Sequence, residues 1–203
     1  MAESSPGEMH TEGRFSVHKS RRSKPMAEKE YPGEEELVSR APTPQDLANL
    51  CRNLNDSGTL YIVVGGFAIR GAGYSRETMD VDLIVATDPE NEAKVYKALE
   101  SLPDKAVLEL EPGEIAKYTV VRVGDEICVD LMASASGIGY EEASKDQIIR
   151  VVDGVPIPFA SPRLLYRMKE KTHREKDRAD LQFLRENYAE EIFGNGDQGQ
   201  IPP

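Results

Sequence analysis

Met79-Asp80-Val81-Asp82-Leu83-Ile84-Val85 sets two carboxylates, one residue apart, at the head of an apolar run. Side chains alternate faces along a strand, so Asp80 and Asp82 share one face, roughly 7 Å apart at the backbone, while Val81, Leu83 and Val85 take the other. Upstream, Tyr61-Ile62-Val63-Val64-Gly65-Gly66 reads as a buried strand ending in a glycine turn, with Phe67, Ala68 and Ile69 starting a helix. Downstream, Ile127-Cys128-Val129-Asp130-Leu131-Met132 puts a third carboxylate in the middle of another apolar strand. Burying a carboxylate without a partner is costly. Three of them in strand-like runs call for a common partner, and a pair of divalent cations meets that need. Carboxylate and water ligands suit Mg²⁺ or Mn²⁺ rather than zinc.

Asp and Glu together make 36 of 203 residues, so carboxylates two apart also arise by chance, as at Glu28/Glu30, Glu34/Glu36 and Glu90/Glu92. The serious rival is Glu109/Glu111, which follows Val107-Leu108, but Pro112-Gly113 ends that run in a turn and points Glu111 to water. Only Asp80/Asp82 combines apolar neighbours with an upstream Gly-Gly turn. That turn, before a helix N-terminus, lets backbone N–H groups of Gly65 and Gly66 approach a polyphosphate.

Around these segments the chain predicts a helix opened by Thr43-Pro44, with Leu47, Leu50, Cys51 and Leu54 on one face. A helix from about Glu90 to Leu99 follows the aspartate strand. Short strands are expected at 107–110, 118–123 and 127–132, the last two joined at Gly124-Asp125. A hairpin turns at Asp153-Gly154, Ser161-Pro162 opens a helix to about Lys171, and a last helix runs from His173 to Glu186 with Leu181 and Leu184 inward. The expected class is α+β, a short mixed β-sheet with helices packed on one side of it. Residues 1–40 are polar and lack either period, so they read as a disordered segment, and removal of residues 1–38 is expected to leave thermal stability unchanged. The folded domain spans 41–193, and 194–203 is a flexible tail.

Net charge is −11 and the pI about 4.9, a surface that repels polyanions in general. The basic cluster His18–Lys24 reads as part of the solvated head rather than as an RNA-binding patch. Cys51 and Cys128 provide neither a disulfide framework nor metal-ligand spacing. The expected setting is cytoplasmic, with no membrane contact, since no apolar run reaches the ~20 residues of a bilayer span. A Gly-x-Ser-x-Gly elbow, a Cys/His pair and a Walker lysine are all missing from the sequence.

The spacing apolar-Gly-Gly, thirteen residues, Asp-apolar-Asp-apolar, then apolar-Asp-apolar resembles the DNA polymerase β-type nucleotidyltransferase superfamily. Within it the chain resembles small bacterial AbiEii/MenT toxin-like nucleotidyltransferases, through Val63–Ala68, Arg76–Leu83, Met168-Lys169 and Arg174–Asp180. The resemblance implies a polymerase β-like fold with Asp80, Asp82 and Asp130 as catalytic metal ligands. It implies transfer of a nucleoside monophosphate from an NTP to an acceptor hydroxyl (a tRNA end, a protein or a small molecule), with release of pyrophosphate. It also raises an antitoxin partner. Gly65, Gly66, Arg76 and Lys169 are the expected nucleotide-binding residues, and Thr78 shapes the start of the strand. Many members carry Gly-Ser where this chain has Gly65-Gly66, a departure that bears on triphosphate grip and raises a non-catalytic binding protein of the same fold as the rival reading.

Overall fold

The Thr43 hydroxyl accepts from the Asp46 N–H (3.2 Å) and the Asp46 carboxylate accepts from the Thr43 N–H (2.8 Å), a reciprocal cap that starts the first long helix with Pro44 in its first turn. The computed structural model describes residues 14–18, 39–172 and 174–194. His173, most of the basic cluster and the expected tail beyond Gly194 lie outside those residues. In chain order the elements are β1 (Arg14–His18), α1 (Pro44–Asp56), β2 (Tyr61–Val63), α2 (Gly65–Gly71), β3 (Asp80–Val85) and α3 (Pro89–Leu99). Then come α4 (Glu114–Lys117), β4 (Val120–Gly124), β5 (Cys128–Met132), β6 (Ser134–Ala135), β7 (Ile138–Gly139) and α5 (Tyr140–Ala143). The chain closes with β8 (Gln147–Val152), β9 (Val155–Ala160), α6 (Pro162–Lys169) and α7 (Glu175–Phe193).

Seven strands form one mixed sheet in the order β1-β4-β5-β3-β2-β9-β8. The pairs β1·β4, β5·β3 and β2·β9 are parallel, and the other three are antiparallel. This is the expected α+β class. Register decides which residues share a face. Asp82 stands opposite Asp130 across β3·β5, and Arg122 stands opposite Asp130 across β4·β5. Their face therefore carries Asp80, Asp82, Arg122, Cys128 and Asp130. The opposite face carries Val81, Leu83, Val121, Val123, Val129 and Leu131, all at 0% exposure, which makes it the dry side of the core. Fully burying each such side chain stabilises the fold by roughly 1.5–3 kcal/mol. The Asn91 side chain clips the sheet to α3, accepting from the Leu60 N–H (2.7 Å) and donating to the Leu60 and Ala86 carbonyls (3.1 and 2.8 Å).

Three elements differ from expectation. Residues 107–110 are not a strand: Ala106–Glu109 form a single 3₁₀ turn after Lys105, whose φ of 51° turns the backbone left-handed. The Asp125 carboxylate accepts from the N–H groups of Asp104 and Ala106 (3.0 Å each), and β4 already has β1 and β5 as neighbours. The last helix runs on to Phe193, bending at Tyr188, whose hydroxyl donates to the Ala72 carbonyl at 2.5 Å. Within the head, Arg14–His18 is a strand, paired parallel with Val120–Gly124 over five residues. Ordered chain also begins before 41: the Arg40 N–H donates to the Glu126 carbonyl (2.9 Å), and the Arg40 guanidinium pairs with Asp46 and Glu126.

β1 covers the outer edge of β4, so removing residues 1–38 strips a ladder and exposes an unpaired strand edge. We expect that truncation to melt roughly 5 °C lower and to aggregate more readily, measured by thermal unfolding and light scattering. An unchanged melting temperature would show that β1 contributes nothing to stability.

Candidate active site

β3 and β5 bring together the three aspartates that their sequences single out. One carboxylate oxygen from each of Asp80, Asp82 and Asp130 lies within 4.8 Å of the other two. Oxygens about a six-coordinate Mg²⁺ stand about 3 to 4.2 Å apart, from metal–oxygen distances of about 2.1 Å. The three aspartates thus offer one oxygen each to a common hard divalent cation that draws them together, and the all-oxygen donor set suits Mg²⁺ or Mn²⁺. Asp130 is buried, whereas Asp80 and Asp82 keep part of their surface open. Crowding is recorded in Asp82: burial first, then the charges of Asp80 and Asp130, push its pKa up to about 6. The Gly66 N–H and the Lys169 ammonium oppose that rise.

The glycine turn is built against this cluster. Gly65 has φ +59°, and a Cβ there would stand 1.9 Å from Asp82 Oδ2. Only glycine meets both conditions. At Gly66 a Cβ would stand 2.3 Å from Thr78 Oγ1, so the Thr78 hydroxyl fills the space that a side chain on residue 66 would take. Thr78 in turn donates to the Asp80 carbonyl (3.1 Å) and fixes the start of β3, as expected of it. The Gly66 N–H serves Asp82 rather than standing free.

Arg76 and Lys169 flank the turn, each held by α7. The Arg76 Nη2 would lie 3.5 Å from a Cβ on Gly66, and its Nε pairs with Asp180 at 3.0 Å. Lys169 Nζ pairs with Asp177 Oδ1 (2.8 Å) and Asp180 Oδ2 (2.9 Å). The Asp180 contacts are charge pairing off the hydrogen-bond angle, since neither of its oxygens has a well-aligned donor. Burial alone would raise Asp177, but hydrogen bonds from Lys169 and Thr172 and the Lys169 and Arg174 charges outweigh it and hold the carboxyl below the usual range. Asp177 and Asp180, both buried, anchor these cations. Glu111 stands apart, exposed, with its backbone in the turn beside α4.

Sequence reasoning missed Arg122. Its Nε and Nη2 fork onto both oxygens of Asp130 (2.7 and 2.8 Å), and Nη2 also reaches Asp80 Oδ2 (2.7 Å). The Asp130 hydrogen bonds first, then the charges of Asp130 and Asp80, raise an already high guanidinium pKa against the opposing effect of burial. A signal was present: counting back from Asp130 across the β4–β5 hairpin lands on Arg122, flanked by Val121 and Val123. A groove of about 510 Å³, lined by Val85–Asp88, Ala133 and residues 139–142 and 145, takes none of the site residues.

No protein-family model matches the chain. No curated protein matches it either. Among solved structures it is similar to an antigenic nucleotidyltransferase-like protein from Paracoccidioides brasiliensis (17% identity, 70% of this chain and 73% of that one, TM-score 0.44). It is also similar to ANT(2″)-Ia in complex with adenylyl-2″-tobramycin (14% identity, 73% and 91% coverage, TM-score 0.47). A solution structure of the antibiotic-resistance factor ANT(2″)-Ia matches at 13% identity over 74% and 89%, with a TM-score of 0.43.

Because Asp82 holds its proton more tightly folded than unfolded, its contribution is stabilising below the ordinary carboxylate value of 3.8 and is lost as pH rises through about 6. In EDTA, Asp82→Asn should therefore match the wild type near pH 4 and melt roughly 5 °C higher at pH 7–8, by thermal unfolding across pH. A gap of the opposite sign at pH 7 would show that the Asp82 charge is net stabilising. Gly65→Ala should cost about 2–4 kcal/mol in denaturant unfolding, since the left-handed backbone and the Asp82 contact act together.

Proposed function

We propose that the chain is a metal-dependent nucleotidyltransferase, moving a nucleoside monophosphate from an NTP to an acceptor hydroxyl and releasing pyrophosphate. The observation that carries this reading is the convergence of Asp80, Asp82 and Asp130 within 4.8 Å, directly against the Gly65-Gly66 turn. Asp80 and Asp82 would hold both cations, with Asp130 on the second. Bound there, Mg²⁺ or Mn²⁺ would neutralise triphosphate charge and lower the pKa of the acceptor hydroxyl.

The chain's own residues do the rest. Lys169 donates to Asp177 and pairs by charge alone with Asp180, which leaves it donor capacity for a phosphate oxygen. Arg76, over the glycine turn, has a guanidinium edge for the same group. Asp130 would take the acceptor proton, which requires Arg122 to give up one of the two oxygens it holds. The α-phosphorus is then attacked in line with the departing pyrophosphate. The acceptor belongs to an RNA end, a protein or a small molecule, and the resemblance to toxin-like members extends the proposal to a toxin–antitoxin pair.

One observation favours the second reading, a binding protein that keeps the arrangement without catalysis. Arg122 already neutralises part of the charge that a cation would. Incubating the protein with each α-³²P-labelled NTP, Mg²⁺ and cell lysate, and then locating the label, separates the two. Transfer should occur for the wild type and vanish in Asp80→Ala and Asp82→Ala. Asp130→Asn should lose at least about 100-fold in rate, whereas Glu111→Gln should stay near wild type. Near wild-type transfer by Asp80→Ala or Asp82→Ala would sink the metal-site reading, and absence of any transfer would favour the binding protein.

A further inference from the structure

Arg122 occupies the middle of β4, opposite Asp130, and its guanidinium spans two of the three site carboxylates. Its side chain is 25% exposed, so the pairing is partly withdrawn from water and the fork is held in place. A bidentate guanidinium takes a lone pair on each Asp130 oxygen, and its Nη2 takes one on Asp80 Oδ2 as well. A cation between β3 and β5 would draw on the same two carboxylates. Among the described residues no arginine pairs with Asp82, which is relieved instead by the Gly66 N–H and, at longer range, by the Lys169 charge.

We propose that Arg122 is a displaceable internal counter-ion, a positioning residue that competes with the divalent cation for Asp80 and Asp130 and thereby weakens metal affinity. This rests on the reading of the three aspartates as cation ligands. Electrostatics favour it on two counts. Without a cation, Arg122 relieves the repulsion among three neighbouring carboxylates, so the fold tolerates them. With a cation, the guanidinium and the metal repel one another across the same oxygens, so loading requires the fork to let go. A purely structural arginine would have the opposite signature: removing it would loosen the carboxylates and lower cation affinity.

The test is Mn²⁺ binding to the full chain, with free Mn²⁺ followed by electron paramagnetic resonance. The wild type, Arg122→Gln, Arg122→Lys and Arg122→Gln/Asp82→Asn are compared. Arg122→Gln should bind at least about tenfold tighter than the wild type, and adding Asp82→Asn should abolish the gain, which places it at the triad. In EDTA Arg122→Gln should melt below the wild type, and Mn²⁺ should raise its melting temperature by more than it raises that of the wild type. Lysine keeps the charge without the fork, so Arg122→Lys should fall between the two and serves if the glutamine variant does not fold. Equal or weaker Mn²⁺ binding by Arg122→Gln and Arg122→Lys overturns the proposal and makes Arg122 a support of the cation site. No Mn²⁺ binding by any of the proteins overturns both this proposal and the metal reading beneath it.

Discussion

Asp82 opposite Asp130 in the β3–β5 ladder is the constraint around which the rest of the site is arranged. Two carboxylates at directly paired positions repel, and Asp80 adds a third from the same face. Nothing in the dry half of the sheet can offset that charge, because Val81, Leu83, Val129 and Leu131 fill it completely. Relief has to come from the same face or its rim. Arg122 supplies one positive charge from the next strand, Lys169 supplies another from the end of α6, and the Gly66 N–H supplies a dipole. Burial first, and then the repulsion from Asp80 and Asp130 that remains, show as the raised pKa of Asp82. The arrangement is held at a cost, as expected of a site rather than of a core.

Local pattern made β3 and β5 readable. A carboxylate pair inside an apolar run conflicts with burial, and such a conflict is visible without any knowledge of pairing. The Gly65-Gly66 turn was readable for a similar reason, although its tighter purpose was not. That Gly65 faces Asp82 and that Thr78 fills the space beside Gly66 are facts about three segments meeting. Arg122 was hidden because an arginine between two valines looks like the solvated face of an ordinary strand. Only the register of the β4–β5 hairpin turns it inward to Asp130.

The errors have physical causes of the same kind. Ala106–Glu109 carries a strand-like composition, yet Asp125 gathers the N–H groups ahead of it and bends the chain into a turn. Arg14–His18 sits in a polar head with no period of its own, and it becomes a strand because β4 offers an open edge. Tertiary partners outweighed local propensity in both places. Asp177 and Asp180 belong here as well. On a helix dense with charge they look like surface pairing, but both are buried against cations from other elements.

Asp180 is shared by two cations that belong to separate parts of the chain, Arg76 ahead of β3 and Lys169 at the end of α6, at 3.0 and 2.9 Å. Loss of the Asp180 carboxylate would therefore loosen two segments at once, the loop ahead of β3 and the end of α6, although they lie some ninety residues apart in the chain.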